Sequence, residues 1–177
     1  MEFRAIKASS PTKELYAQAF PKEERLPWWV LRLSTLVPDV ALTAYYDGAN
    51  FCGFTHTTST DKVLFLMFFA VQSDLRGKGY GSAILDYLKR QNPGKAIVLN
   101  VEPLDPTVSN AQERVNRMLF YRKNGFYDTG YDITEVGGIF RVLSTVPKLD
   151  TNAYRKVFRK ISLGLWRPKI TEVTKCD

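Results

Sequence analysis

Histidine and cysteine are nearly missing from this chain. There is one histidine, His56, and two cysteines, Cys52 and Cys176, which lie far apart and form no C-x-x-C pair. A structural zinc site takes four nitrogen or sulfur ligands, so the usual ones cannot be assembled and no metal is expected. Two distant cysteines give no disulfide framework either, and reduced thiols fit a cytoplasmic protein. Long hydrophobic runs are missing too. The longest, Val63 to Val71, is nine residues, against the roughly 20 that cross a bilayer as a helix. No membrane span is expected, and the run reads as a buried strand. Met1 to Lys7 has no apolar signal-peptide core, so a cytoplasmic location is the expectation.

What remains is an ordinary globular composition, 45% apolar and 24% charged over 177 residues. That length suits one domain with a sizeable core. The expected organisation is a domain over residues 1–150, with a basic helix and tail over 151–177 docked on it. The net charge is +7, which suits an anionic partner. Between Thr151 and Asp177, Arg155, Lys156, Arg159, Lys160, Arg167, Lys169 and Lys175 outnumber Glu172 and Asp177, so most of the excess sits there. In the same segment Ala153, Tyr154, Val157, Phe158 and Ile161 share one helical side. Core docking with a solvated basic face follows. No nucleic-acid motif is present, and a nucleic-acid partner is not expected.

Strands are expected at Glu2 to Ile6, Val40 to Tyr46, Phe51 to Thr58, Val63 to Val71, Ala96 to Val101, Phe126 to Tyr131 and Ile139 to Leu143. Helices are expected from Ser10, over Ser82 to Arg90, Gln112 to Asn124 and Thr151 to Ser162, with a second apolar stretch from Trp28 to Leu36 after the first helix. Strands alternate with helices only in the second half, which points to a mixed sheet in an α/β or α+β domain. His56 and Cys52 read as sheet and core residues. Trp28 and Trp29 read as helix packing, with an acceptor pocket as the alternative.

The most informative stretch runs from Phe68 to Ser82: a buried strand, a polar turn, Gly77, Gly79 and Gly81, then a helix. Glycines let backbone N–H groups approach a ligand closely, and a helix start favours negative charge. A pyrophosphate fits, with Arg76 and Lys78 adding positive charge. The spacing G-x-G-x-G is neither the G-x-G-x-x-G of dinucleotide folds nor a P-loop.

Arg76-Gly77-Lys78-Gly79-Tyr80-Gly81 resembles the R/Q-x-x-G-x-G/A signature of the GNAT superfamily of acyl-CoA-dependent N-acyltransferases, with Arg76, Gly79 and Gly81 matching. Phe120-Tyr121-Arg122-Lys123-Asn124-Gly125-Phe126 is similar to the family's F/L-Y-x-x-x-G-F block. The resemblance implies a mixed, mostly antiparallel sheet flanked by helices and split between its fourth and fifth strands, with acetyl-CoA as the donor. It implies that backbone groups of Phe69, Ala70 and Val71 hold the pantetheine arm. The pyrophosphate would fall to amides of Arg76, Gly77, Lys78, Gly79, Tyr80, Gly81 and Ser82, and Tyr121 would be the acid that protonates the departing thiolate. Relatives often carry an asparagine seven residues before that tyrosine and an alanine four before it. Arg114 and Arg117 stand there instead, two cations for cofactor phosphates or an acidic acceptor.

An amine resembling lysine has a pKa of about 10.4, so a proton must leave before or during attack. Glu24 and Glu102 are the candidate bases. A backbone N–H, at Val71, would stabilise the oxyanion. The implied reaction is acetyl transfer to an amine acceptor in a ternary complex, with a small molecule favoured over a protein. An acyl-CoA-binding regulatory domain is the alternative, and a homodimer is compatible with either.

Overall fold

The computed structural model describes residues 3–8, 10–135, 138–162, 164 and 168–173, with Glu23 described in its backbone only. Fifteen elements follow one another. They begin with β1 (Phe3–Lys7), α1 (Ser10–Ala19), a 3₁₀ turn (Lys22–Glu24), α2 (Trp28–Ser34), β2 (Val40–Asp47), β3 (Asn50–Ser59) and β4 (Val63–Val71). A second 3₁₀ turn (Ser73–Leu75) leads to α3 (Tyr80–Gln91), β5 (Ala96–Val101), α4 (Ala111–Lys123), β6 (Tyr127–Glu135), β7 (Gly138–Ser144), α5 (Thr151–Ile161) and β8 (Lys169–Glu172). The strands are ordered β1-β2-β3-β4-β5-β7-β6-β8. Among the pairings, β1–β2, β2–β3, β5–β7, β6–β7 and β6–β8 are antiparallel, while β4 and β5 run parallel over Val63–Phe65 and Ala96–Val98. This is the expected mixed, mostly antiparallel sheet.

The chain forms two compact units, Met1–Ser59 with Leu66–Gly94, and Thr60–Phe65 with Lys95–Asp177. In the first, Leu15, Tyr16, Leu31, Leu42, Phe54, Phe68 and Ala70 form one buried cluster. The Phe68 ring meets Tyr16 at 5.1 Å and Phe20 at 5.0 Å, both edge-on. Phe68 of β4 thus anchors α1 through Tyr16. Trp28 packs against that cluster, while Trp29 is 64% exposed. Only one of the two tryptophans does the packing that the sequence suggests.

Gly53 has a steric reason to be glycine. A Cβ there would stand 2.4 Å from the Ala70 carbonyl oxygen and 3.1 Å from Val71 Cα. The β2–β3 register slips between Tyr45 and Tyr46, whose partners are Gly53 and Phe51. Cys52 is passed over, and its carbonyl accepts the Gln72 N–H at 2.9 Å. This bulge ties down the end of β4 just before the glycine loop.

His56 lies in β3, buried, with Nε2 2.9 Å from Ser34 Oγ. Ser34 Oγ donates to the Leu31 carbonyl at 2.8 Å, so the serine oxygen accepts from Nε2–H. Nδ1 has no hydrogen-bond partner among the described residues. Burial pushes the imidazole pKa down to about 4. As pH falls below about 6.5 the unfolded chain takes up this proton before the folded one can. Folding stability is therefore lost down to about pH 4, by roughly 3 kcal/mol at most. Glu135, raised to about 7 by burial, works in the opposite sense over that window. The check is the difference between denaturant-derived stabilities of wild type and His56→Gln from pH 7 to pH 4. The wild type should lose more; parallel curves would show that His56 contributes nothing to the acid limb.

In the second unit, Phe65 packs against Tyr154 at 5.8 Å and Phe158 at 5.1 Å, seating α5. Asp150 caps α5, accepting from Asn152 and Ala153 N–H at 3.1 and 3.0 Å, a strong helix-start arrangement. β8 is absent from the sequence expectations. Lys169–Glu172 pairs with Tyr131–Thr134 of β6, and four residues after a helix carry too little periodicity to announce a strand. That pairing accompanies a longer β6 than expected. Of the tail residues named from sequence, Arg167, Lys175 and Cys176 lie outside the described residues, as does Glu2 of the expected first strand.

Candidate active site

The first unit carries the glycine loop. β4 ends at Val71, the 3₁₀ turn follows, and Arg76 folds back so that its Nε donates to the Val71 carbonyl at 3.4 Å. Gly77 and Gly79 take φ of +73° and +87°, a left-handed conformation that side-chain-bearing residues rarely adopt. Gly79 occupies the N-cap position of α3, and no side chain caps that end. The Arg76 and Lys78 amides donate within the turn, to Ser73 and Leu75 carbonyls at 3.3 and 3.4 Å. The amides of Gly77, Gly79, Tyr80, Gly81 and Ser82 find no acceptor among the described residues, and the first bonded amide of α3 is Ala83, to Gly79, at 3.0 Å. The expected set from Arg76 to Ser82 therefore divides into two occupied amides and five open ones. Tyr80 is fixed by its hydroxyl, which donates to Asp47 Oδ2 at 2.9 Å. Phe69 and Val71 are half-buried and Ala70 buried at the end of β4.

Glu24 closes the first 3₁₀ turn and is half-buried, its amide donating to the Pro21 carbonyl at 3.2 Å. It shares the first unit with the glycine loop, whereas Glu102 and Tyr121 belong to the second.

In the second unit, Tyr121 lies on α4 with a side chain 8% exposed. Its ring packs edge-on against Phe120 at 5.2 Å and Phe126 at 5.5 Å. Gly125, at φ +75°, turns the chain so that Phe126 N–H returns to the Tyr121 carbonyl at 3.1 Å, a glycine helix end that explains the G-F of the motif. The hydroxyl meets no hydrogen-bond partner among the described residues. Burial pushes its pKa up to about 12, against a smaller opposing effect of the Arg117 charge.

Glu102, just past β5, is held by Arg114 at 2.7 Å and Arg117 at 2.8 Å. Asn110 Nδ2 approaches both of its oxygens, at 3.2 and 3.4 Å. Arg114 spends its remaining donors on Asn110 Oδ1 and the Pro103 carbonyl. The two arginines that replace the family's asparagine and alanine are thus paired with Glu102. Burial alone would raise this carboxyl; the hydrogen bonds from Asn110 and Arg117 and the two guanidinium charges outweigh it and hold the pKa below the ordinary value.

Sequence reasoning missed a third acid. Glu135 accepts from Asn100 Nδ2, and Asn100 Oδ1 accepts from the buried Tyr154 hydroxyl at 2.6 Å. In sequence Glu135 precedes Val136-Gly137-Gly138 and reads as a loop residue; nothing in its sequence neighbours announces that it ends β6 half-buried and bonded to Asn100. Among the described residues no group of three His, Cys, Asp or Glu could hold a metal, and no helix is long and apolar enough to cross a membrane.

The family model of the acetyltransferase (GNAT) domain matches residues 38–128, which include both motif blocks. A GNAT-family protein from Bacteroides thetaiotaomicron, described as an acetyltransferase, superposes with a TM-score of 0.70 at 25% identity, covering 94% of this chain and 100% of its own. An aminoglycoside 6'-N-acetyltransferase complexed with coenzyme A gives 0.61 at 17% identity, over 85% and 100%. The ribosomal-protein-S18-alanine N-acetyltransferase of Escherichia coli gives 0.53 at 16%, over 84% and 96%. Comparison with curated protein sequences found no match. The chain belongs to the GNAT acetyltransferase family. It is an acyl-CoA-dependent N-acetyltransferase that draws on acetyl-CoA as its donor.

Proposed function

We propose that the chain transfers the acetyl group directly from acetyl-CoA to the amine of a small-molecule acceptor within a ternary complex. The observation that supports this is the set of open amides of Gly77, Gly79, Tyr80, Gly81 and Ser82 at an uncapped helix start. Such groups match a pyrophosphate in geometry and charge. Arg76 and Lys78, both exposed beside them, add charge without having to be desolvated first.

Phe69, Ala70 and Val71 would hold the pantetheine arm through backbone groups, as an added strand is held. The Val71 amide is the donor we assign to the developing oxyanion. Of the two base candidates, Glu102 is the weaker, since two arginines and Asn110 stabilise its charged form. We assign it the positioning of Arg114 and Arg117, and Glu24 the removal of the amine proton.

Tyr121 is the acid. Its raised pKa keeps it protonated at neutral pH. Complete transfer to a thiolate of pKa about 8.5 would be uphill by about 5 kcal/mol in the resting environment. The hydroxyl therefore acts by donating a hydrogen bond that strengthens as negative charge builds on sulfur, with the proton following late.

Steady-state rates measured over a grid of acetyl-CoA and amine concentrations test the ternary complex. Intersecting reciprocal plots are expected. Parallel plots with an isolable acetyl-enzyme would mean a covalent route and overturn direct attack.

A further inference from the structure

The apolar side of α5 is spent. Ala153, Tyr154, Val157 and Phe158 are buried at 3% exposure or less, so this helix has no apolar stripe left for a membrane surface. Its other side is basic. Arg155, Lys156 and Arg159 are exposed and form no ion pair with a carboxylate among the described residues. Arg159 and Lys160 lie in the last turn, where cations complement the helix dipole. That accounts for neither Arg155 nor Lys156, which stand further back and crowd like charges at helical spacing.

Two hollows flank this row. One, of about 480 Å³, is lined by Lys156, Arg159, Lys160 and Gly164; the other, of about 450 Å³, by Asn152, Arg155, Lys156, Arg159 and Pro168. Lys156 and Arg159 form the wall common to both, and among the described residues no acidic side chain lines either. Both are open to solvent, the first more than the second, so a ligand here would be held by charge and not by enclosure. Guanidinium forks and an ammonium are the groups that bind phosphoryl oxygens. Among the described residues the lining holds no aromatic ring for the stacking that single-stranded nucleic acids rely on. We propose that the α5 groove binds a small molecule bearing two adjacent phosphoryl groups, held by Lys156 and Arg159, the two cations common to both hollows.

The test is isothermal titration of inorganic pyrophosphate into the full chain saturated with coenzyme A, so that the donor site's own phosphate contacts are already filled. One-to-one binding is expected, at least tenfold tighter than inorganic phosphate. The double variant Lys156→Glu/Arg159→Glu should lose at least tenfold in pyrophosphate affinity while acetyl-CoA affinity stays as in the wild type. If the charge reversal unfolds the chain, Lys156→Gln/Arg159→Gln carries the same expectation. Three results would overturn the proposal: binding that vanishes once coenzyme A is present, binding unchanged in the double variant, or no preference for pyrophosphate over phosphate. A single-stranded RNA oligonucleotide binding this groove more tightly than pyrophosphate at ~150 mM salt, the physiological ionic strength, would overturn it too, and would make the helix a nucleic-acid surface.

Discussion

Gly79→Val should weaken acetyl-CoA binding at least tenfold, equivalent to about 1.4 kcal/mol. Two effects combine at this residue. Its φ of +87° is one that a β-branched side chain adopts only under strain, so the loop must rearrange to accept valine. Rearrangement turns the amides of Gly79, Tyr80 and Gly81 away from a common focus, and the helix start loses its use as an anion site. Gly81→Val should reach a similar loss by another route. Gly81 lies in the first turn of α3 without a positive φ, so the added bulk there tests close approach and not backbone strain. Gly77→Ala is the instructive control. Its φ of +73° also carries strain, but a Cβ would meet no atom within 4 Å. A smaller loss is expected there. Isothermal titration of folded variants decides: unchanged affinity at both Gly79 and Gly81 would remove the phosphate-binding role from this loop.

Tyr121→Phe should lower kcat about 10- to 100-fold while acetyl-CoA affinity changes less than about threefold. The ring is packed between Phe120 and Phe126, and phenylalanine keeps that packing. The hydroxyl has no partner among the described residues, so its removal strands no hydrogen-bonding group and stability should hold. Positioned proton donors contribute typically 10²–10⁴-fold. The expected loss sits at the lower end because a thiolate of pKa about 8.5 is a tolerable leaving group unaided. Full kcat with the best available amine would take Tyr121 out of the mechanism. A large affinity loss at normal kcat would make it a positioning residue for the donor.

The glycine loop was legible in sequence because its form depends on backbone shape. Glycine is the residue that most readily takes a positive φ, so Gly77, Gly79 and Gly125 announce their turns in one-letter code, and nine apolar residues in a row announce β4 without periodicity. Gly53 was not legible, since its reason is a carbonyl on the next strand, a contact that only the fold creates. Charge pairing was equally hidden. Arg114 and Arg117 look like free cations in sequence, yet the loop after β5 brings Glu102 to both, and that pairing lowers the basicity of a residue singled out as a base. Glu135 is the converse, an acid whose sequence neighbours suggest a loop but which ends β6 half-buried and bonded to Asn100. Side-chain electrostatics depend on distances set across strands, and spacing along the chain does not encode them.

The central claim is amine-dependent acetyl transfer, and free thiol release from acetyl-CoA across a panel of amines tests it most directly. Release that requires an amine, saturates with it and is matched by acetylated amine in equal amount is the predicted result. Tight acetyl-CoA binding with no amine-dependent release from any member of the panel, small molecules and peptide amino groups alike, would contradict it and leave a sensor of acyl-CoA in its place.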